Sequence, residues 1–246
     1  MADNGVLERK RKALGEFVAR LLDSEVGKDV ARIVVFGSVP KGEAEPDSDI
    51  DVYIEALNNV EEVKRASEEL SFEFMLHGGE RIEPIVGHTF DARSPFYEPF
   101  LRRLLEGGEE VYQVDEERLR VEEARDYLAL AGEYLRQSRA LFPLGYYRLL
   151  IDGAYNAAEL AANGLLSLKG VPIPHRHGGI VQKFAQVYIL SGELSRELGR
   201  RLNRGLTLRN QARYLLLANI AEAEAQEALS LAEELIQKLE EKLAEG

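Results

Sequence analysis

Two short stretches, Val34-Val35-Phe36-Gly37-Ser38 and Asp49-Ile50-Asp51-Val52-Tyr53-Ile54, decide the fold of the first part of this 246-residue chain. The apolar run 33–36 predicts a buried strand that ends at Gly37. Because glycine has no Cβ, the backbone can turn sharply there and approach a ligand closely. Ser38 then offers a hydroxyl and a backbone N–H to a phosphate oxygen. The first stretch therefore predicts a strand followed by a phosphate-binding turn.

The second stretch predicts a strand that carries a pair of carboxylates. Alternate residues of a strand share a face, so Asp49 and Asp51 point to one side while Ile50 and Val52 point into the core. Two hard oxygen ligands near a phosphate turn suit Mg²⁺ that bridges nucleotide phosphates. This arrangement indicates phosphoryl or nucleotidyl transfer. The alternative is a Gly-Ser hairpin beside a strand with two surface aspartates.

The two stretches together resemble the signature of the minimal nucleotidyltransferases, which are relatives of the DNA polymerase beta fold. Gly37-Ser38 is followed by ten residues and then by Asp49-x-Asp51, and both Gly42-Glu43-Ala44 and Ser48 agree with the family's finer pattern. The resemblance implies an NTP substrate, with ATP as the first expectation, and Mg²⁺ or Mn²⁺ as cofactor. It also implies that Gly37 and Ser38 bind the nucleotide.

The resemblance implies a third carboxylate on a neighbouring strand, and Glu83 in the apolar segment 81–86 is the candidate. Glu83 would complete the metal site and take the proton of the attacking hydroxyl. The family often has Asp at this position, so Glu is a departure from its pattern. An ordinary edge charge is the other interpretation of Glu83, and Asp91 and Glu73 are the competing acids.

Composition limits the remaining possibilities. The length allows two modest domains, and a formal net charge of −12 excludes a general nucleic-acid binder by overall field. The absence of cysteine excludes disulfides and thiolate zinc sites. No segment reaches the roughly 18 apolar residues of a membrane helix, and charged residues interrupt the segment 6–22 where a signal peptide would lie. We therefore expect a cytoplasmic protein with no membrane contact.

The first half alternates between helix and strand patterns and predicts a small mixed sheet with helices packed on it. Predicted helices cover 7–22 and 60–70, and Ser94-Pro95 opens another that runs to residue 105. Predicted strands cover 32–36, 49–54, 71–76, 80–86 and 110–114, with a turn at His77-Gly78-Gly79 between the third and the fourth.

The second half has helical patterns throughout and predicts an all-α bundle. The predicted helices cover 116–141, 146–168, 180–190, 194–202, 209–219 and 221–243, with breaks that include Gly192 and Gly205. The fold class is therefore α+β, with a nucleotidyltransferase domain over 1–116 and a helical bundle over 117–246. Since no flexible linker separates them, we expect the two domains to pack together.

The helical half resembles the HEPN family, whose bundles are often encoded beside or fused to minimal nucleotidyltransferases. The resemblance covers roughly residues 120–240 and is carried by Tyr146-Tyr147, by 154–159, by Gly170 and by His177-Gly178-Gly179-Ile180 with Phe184. It implies a homodimer through the helical domain. The complete layout is similar to that of the kanamycin nucleotidyltransferases.

The HEPN ribonuclease motif has an arginine and a histidine with four to six residues between them. It falls on Arg209 to Tyr214 and lacks its histidine, because the fourth residue after Arg209 is Arg213 and the fifth is Tyr214. Tyrosine, with a pKa of about 10, is a poor substitute for the proton exchange that histidine performs near neutral pH. On a continuous helix Arg209 and Arg213 share a face, whereas Arg209 and Tyr214 do not. We therefore expect no ribonuclease activity of this kind.

Arg209 belongs to the basic stretch 196–213, whose arginines have two open interpretations. They could face the nucleotide phosphates or an RNA end across the interdomain cleft, in which case Arg209 is a nucleotide-binding residue. They could instead pair with the many glutamates elsewhere in the chain. His175 and His177 lie in a loop with too few ligands for a metal site, and capping or phosphate contact at the next helix is expected of them.

These observations predict an Mg²⁺-dependent nucleotidyltransferase that moves an NMP to an acceptor hydroxyl, with Asp49, Asp51 and Glu83 as metal ligands and catalytic residues. The acceptor is open among a protein tyrosine, a small molecule and an RNA end. Relatives paired with HEPN proteins look like antitoxins that adenylylate a tyrosine of the toxin, which makes Tyr214 a candidate here. The alternatives are a ribonuclease toxin controlled by its fused partner domain and a non-catalytic nucleotide-binding regulator.

Overall fold

The structure, a computed structural model, describes residues 4–92 and 98–245. Contacts divide the chain into two compact units, Met1–Leu119 and Arg120–Gly246. The predicted boundary at residue 116 falls at the first residue of a long helix that begins in the first unit.

The first unit is a mixed sheet with helices. In chain order its elements are α1 (Asn4–Asp23), β1 (Val30–Phe36), α2 (Ser38–Lys41), β2 (Ile50–Ala56), α3 (Val60–Gly78), β3 (Ile82–His88), α4 (Thr89–Ala92), α5 (Glu98–Leu104) and β4 (Glu109–Gln113). Within the described residues the strands form one sheet in the order β3-β2-β1-β4. β1 is antiparallel to β2 and β4, whereas β2 and β3 are parallel. The predicted α+β class with a small mixed sheet is therefore confirmed.

One face of this sheet forms the core of the unit. Its buried strand residues alternate along β1 and β2 and pack with apolar residues of α1 and α3, as the period of two predicts. The cluster includes Ile33, Val35, Ile50, Val52 and Ile54 from the strands and Leu14, Phe17, Leu21, Val63 and Phe74 from the helices. The opposite face carries Asp51, Tyr53 and Glu55, of which Tyr53 and Glu55 are buried and Asp51 is half-buried. The first face is thus apolar, and the second carries polar side chains.

The strand predicted for 71–76 is wrong, because these residues belong to α3. β2 and β3 are parallel, and a parallel pair cannot be joined by a hairpin but needs a crossover of a dozen or more residues. Helix α3 is that crossover. The residues at 77–79 do not form a hairpin turn; the helix ends there, and Gly79 adopts a left-handed conformation with φ of 71°.

The predicted helix that ends at residue 105 corresponds to α5, while its predicted opening at Ser94-Pro95 lies outside the described residues. The other predicted elements of this half, including the helix predicted for 60–70, have counterparts in α1, β1, β2, α3, β3 and β4.

The second unit is helical. Its elements are α6 (Glu116–Leu141), α7 (Tyr147–Leu168), α8 (His177–Phe184) with a π-helical continuation over Ala185–Ile189, α9 (Arg196–Tyr214) and α10 (Glu222–Glu245). The middle of α7 is buried on almost every side, and it uses small residues such as Ala154, Ala158 and Ala161 to let neighbouring helices approach closely. None of the helices in the described part of the chain combines the length and apolar composition of a membrane span.

The predicted helix break at Gly205 is wrong, since α9 runs without interruption through this residue. Gly205 serves close packing instead. A Cβ there would lie 2.9 Å from Leu231 Cδ2 and 3.2 Å from Tyr155 Cδ2, so only a hydrogen fits between α9 and its neighbours. An isolated glycine inside a helical pattern has such a packing role as readily as a terminating one.

Candidate functional site

Strand pairing brings two of the predicted carboxylates together. In the parallel pairing of β2 with β3, Asp51 stands opposite Glu83. In the antiparallel pairing of β1 with β2, Asp51 also stands opposite Phe36, the last residue of β1. Asp49 lies one residue before β2, so the three acids collect at one end of the sheet. Asp51 and Glu83 share its polar face, because opposed residues of neighbouring strands point to the same side.

The turn after β1 places the Gly37-Ser38 pair beside these acids. Gly37 has φ of 78° and ψ of −136°, a conformation that residues with a Cβ rarely adopt. A Cβ at Gly37 would lie 2.2 Å from Oδ2 of Asp51, so the backbone of the turn rests directly against that carboxylate. The backbone N–H of Glu43 donates to the Ser38 carbonyl at 3.0 Å and closes the turn.

The charges of the site are only partly compensated. Burial raises the pKa of Asp51, and the neighbouring charges of Glu83 and Asp49 raise it further. Arg81 is the cation next to the acids: its Nη2 lies 2.5 Å from Oε1 of Glu83, and its Nη1 lies 3.7 Å from Oδ2 of Asp49. The Arg81 side chain is 61% exposed and therefore solvated. The site holds more negative than positive charge around Asp51.

The donor set at this end of the sheet fits a divalent cation. Carboxylate oxygens are the ligands that Mg²⁺ and Mn²⁺ prefer, and excess negative charge at Asp51 favours a bound cation. Within residues 4–92 and 98–245, no three His, Asp or Glu side chains converge closely enough to form a ready ligand cluster. The three acids carry the oxygen donors and the negative charge that a divalent cation would need, while the Arg81 guanidinium bridges two of them.

A cavity of about 410 Å³ opens beside Gly37 and adds residues that sequence reasoning missed. Its lining includes Lys41 at the end of α2, Arg103 on α5, and Glu106. Lys41 follows Ser38 by three residues in the same turn, so its nearness to Gly37 could have been predicted from the sequence. Arg103 could not, because only the tertiary fold brings α5 to this turn. Two cations beside the turn suit an anionic ligand such as a polyphosphate.

The structure places Arg209 in the helical unit. Arg209 is 4% exposed on α9, and its Nε donates to Oδ1 of Asp152 on α7 at 2.9 Å. The guanidinium of Arg213 lies 3.5 Å from the same oxygen, so the two arginines share a face as predicted. The predicted contact of Arg209 with a nucleotide stays a prediction.

Other arginines of the basic stretch also have acidic partners, which agrees with the second of the two interpretations. Arg201 contacts Glu227 at 2.7 Å and also pairs with Glu234, both on α10. Arg200 and Arg204 both contact Glu197 within α9. Ion pairs within α9 and between α9 and α10 therefore account for several of the arginines in the stretch 196–213.

His177 has a partner that sequence reasoning missed. As the first residue of α8 it places Nδ1 2.8 Å from both carboxylate oxygens of Glu159, on α7. This pair joins α7 to α8 and orients the ring. The side chain of His177 thus pairs with an acid of the neighbouring helix, and within the described part of the chain α8 has no side-chain cap at its first turn; the expected phosphate contact stays a prediction. Tyr214, the candidate acceptor, ends α9 and is 68% exposed.

Comparison with known families assigns both halves. Residues 15–124 match the family described as nucleotidyltransferase domain, and residues 124–242 match the family described as HEPN domain. A comparison with curated proteins finds no significant match. The two matched regions meet at residue 124, close to the division between the compact units. The chain is thus a nucleotidyltransferase domain followed by a HEPN domain, and the first domain makes it a transferase of phosphorus-containing groups.

Proposed function

We propose that this protein is an Mg²⁺-dependent nucleotidyltransferase that moves an NMP, with AMP from ATP as the first expectation, to an acceptor hydroxyl. One observation carries the proposal: the backbone of Gly37 rests against Asp51, and Asp51 stands opposite Glu83. A phosphate-binding turn and the predicted carboxylates are therefore neighbours at one end of the sheet. The nucleotidyltransferase domain match supports the NTP substrate.

In the proposed reaction the residues of the chain bind the nucleotide, orient its phosphates and accept one proton. Gly37 and Ser38 hold the phosphates, and Lys41 and Arg103 neutralise part of their charge. The acceptor oxygen forms a bond to the α-phosphorus, the bond to the bridging oxygen breaks, and pyrophosphate leaves. Glu83 accepts the proton of the acceptor hydroxyl. Asp49, Asp51 and Glu83 would hold Mg²⁺ or Mn²⁺, which would supply positive charge to stabilise the transferred group.

The proposal leaves the class of acceptor open. A protein tyrosine is the first candidate. Tyr214 is exposed at the end of α9, which supports it as an acceptor in another copy of the chain or in the same one. A small molecule and an RNA 3′ end are the other acceptors. Phe replaces Tyr without the hydroxyl, so Tyr214→Phe removes this acceptor and leaves the rest of the side chain.

A homodimer through the helical domain is part of the proposal. Leu216 and Leu217 are 89% and 94% exposed in the segment after α9. Arg148 holds this segment in place by donating to the carbonyls of Ala212, Leu215, Leu216 and Ala218 at 2.8–3.1 Å. Contiguous exposed apolar residues on a held backbone favour a protein partner, and a second copy is the partner that HEPN domains imply.

The two alternatives remain outcomes of the same experiment. A HEPN-type ribonuclease toxin would need a group for proton exchange beside Arg209, whose Nε is instead engaged by Asp152. A non-catalytic nucleotide-binding regulator would bind ATP at the same turn and transfer nothing. The location proposed for all three is the cytoplasm.

The experiment is incubation of the purified protein with α-³²P-ATP and Mg²⁺ or Mn²⁺, alone and with total RNA or an aminoglycoside. Label on the protein, on RNA or on the small molecule is expected, and Asp51→Ala abolishes it. Asp47→Ala is the matched control, since Asp47 is an exposed acid four residues upstream. γ-Labelled ATP should leave no label on the acceptor. RNA cleavage without label would support the ribonuclease, and ATP binding without either would support the regulator.

A further inference from the structure

Lys10 on α1 is a lysine inside the core of the nucleotidyltransferase unit. Its side chain is fully buried, and Nζ donates to the Ser48 carbonyl at 2.5 Å and to Oε2 of Glu80 at 2.8 Å. Glu80 is only 3% exposed, and its other oxygen pairs with Nε of Arg9. Burial raises the pKa of Glu80, but the hydrogen bonds from Lys10 and Arg9 outweigh burial and lower it. The lowered pKa favours the carboxylate form of Glu80, which Lys10 and Arg9 hold inside the fold.

The two acceptors of Lys10 lie just before the N-terminal ends of β2 and β3, the strands that carry Asp51 and Glu83. Ser48 directly precedes Asp49, and Glu80 stands three residues before Glu83. A backbone hydrogen bond joins the same two segments, since the N–H of Ile50 donates to the Arg81 carbonyl at 2.9 Å. Lys10 thus ties two distant parts of the chain together on the side where the acids meet. Both its partners are within a few residues of a proposed metal ligand.

We propose that Lys10 is a positioning residue for the carboxylate site, acting through Ser48 and Glu80 to fix the separation of Asp49 and Glu83. This inference rests on the proposed function. A charged pair is not required for folding at such a place, because apolar residues of similar volume replace buried ion pairs without loss of stability in many proteins. A carbonyl and a carboxylate held by one ammonium, by contrast, set the direction in which each strand begins.

The experiment measures Mn²⁺ binding to the full chain by the EPR signal of free Mn²⁺, in parallel with NMP transfer as a function of Mn²⁺ concentration. Lys10→Met should weaken Mn²⁺ binding by about 10–100-fold, as loss of a group that orients metal ligands does. Lys10→Arg should keep most of the affinity, because its guanidinium can donate to both acceptors. Lys12→Met is the matched control, since Lys12 lies on the same helix with its side chain 79% exposed.

A second variant separates positioning from folding. Lys10→Met/Glu80→Leu removes both charges and fills the space with apolar groups, so its melting temperature should stay near that of the wild type while its Mn²⁺ affinity falls. Unchanged affinity in either folded variant would overturn the inference and leave the proposed function standing. Reduced affinity with no NMP transfer by the wild type would support the inference and overturn the proposed reaction. A wild type that does not bind Mn²⁺ would overturn both.

Discussion

The backbone of Gly37 and the carboxylate of Asp51 are in contact: a Cβ on the glycine would lie 2.2 Å from Oδ2 of the aspartate. Antiparallel pairing of β1 with β2 causes this, because it sets the last residue of β1 opposite Asp51. Gly37 and Asp51 are therefore in contact although fourteen positions separate them along the chain. The turn at Gly37 and Asp51 therefore form one unit whose parts cannot move independently.

Gly37→Ala should therefore reduce NMP transfer by about 100-fold or more, since displacement of a reacting group by about 1 Å has such an effect. The added Cβ would push Asp51 or the turn out of position. Gly42→Ala is the matched control: Gly42 has φ of 71°, close to that of Gly37, and open space where its Cβ would lie. Gly42→Ala should lose about 1–2 kcal/mol of stability, because Gly42 is left-handed with ψ of 22°. Gly37→Ala should lose more, because its ψ of −136° lies in a region that a residue with a Cβ scarcely adopts. Equal transfer rates in the two variants would contradict the contact as the cause.

Asp51→Asn should raise the melting temperature in the presence of EDTA at neutral pH. Burial, then Glu83 and Asp49, raise the pKa of Asp51 in the folded state above its unfolded value. The folded state therefore binds the proton more strongly, so ionisation of Asp51 above its folded pKa reduces stability. Asparagine removes that charge. Calorimetry should show the increase for Asp51→Asn and not for Asp47→Asn, whose side chain is exposed. A lower melting temperature for Asp51→Asn would refute the electrostatic account.

Mn²⁺ affinity should fall on acidification at a pH above the ordinary Asp value of about 3.9. The cation competes with a proton at Asp51, whose pKa in the metal-free protein is raised. Mn²⁺ titrations across the acidic range should show the decline. Bound Mn²⁺ that persists unchanged to the ordinary Asp pKa would mean that Asp51 is not a ligand.

Arg209→Met should destabilise the protein by about 1.5–3 kcal/mol, as loss of a hydrogen bond between charged groups does. Its partner Asp152 is left without the buried guanidinium. Arg213→Met is the control, because that guanidinium is 47% exposed and 3.5 Å from the same carboxylate, and it should cost about 0–1 kcal/mol. Chemical denaturation measures both. Loss of ATP binding in Arg209→Met with unchanged stability would instead support the predicted nucleotide contact.

Leu217→Asp should convert the proposed dimer into a monomer, because a charge would be buried where two apolar surfaces meet. Size-exclusion chromatography with light scattering should show the molar mass halved. Leu190→Asp is the control, since Leu190 is 79% exposed at the end of the π-helical segment and lies outside the segment that Arg148 holds. If Leu217→Asp left the molar mass unchanged and Leu190→Asp halved it, the dimer interface would lie at Leu190 instead of Leu217.

Local patterns in the sequence were sufficient to predict β1, β2, the helical second half and the arrangement of Gly37 with Asp51. The residues 71–76 were not, because a short polar-apolar alternation fits a strand as well as a helix, and only the parallel pairing of β2 with β3 requires a crossover. Lys10, Arg103 and the partner of Arg209 were missed for a related reason. Each of these residues acts through contacts with residues far away in the chain, and the spacing of nearby residues in the sequence does not predict such contacts.

The crossover between β2 and β3 also indicates where the chain can accept foreign sequence. β2 runs from Ile50, at the end with the acids, to Ala56, a distance of about 20 Å at the usual rise of a strand. The connection over 57–59 leaves the sheet at that remote end and leads into α3. A reporter domain inserted there would lengthen the crossover without sliding β3 along β2, whereas a single residue deleted between 79 and 82 would shift Glu83 out of register. An insert between Asn58 and Asn59, which are both exposed, would leave the buried Leu57 and the first turn of α3 in place, so the fold and the end of the sheet with the acids should tolerate it.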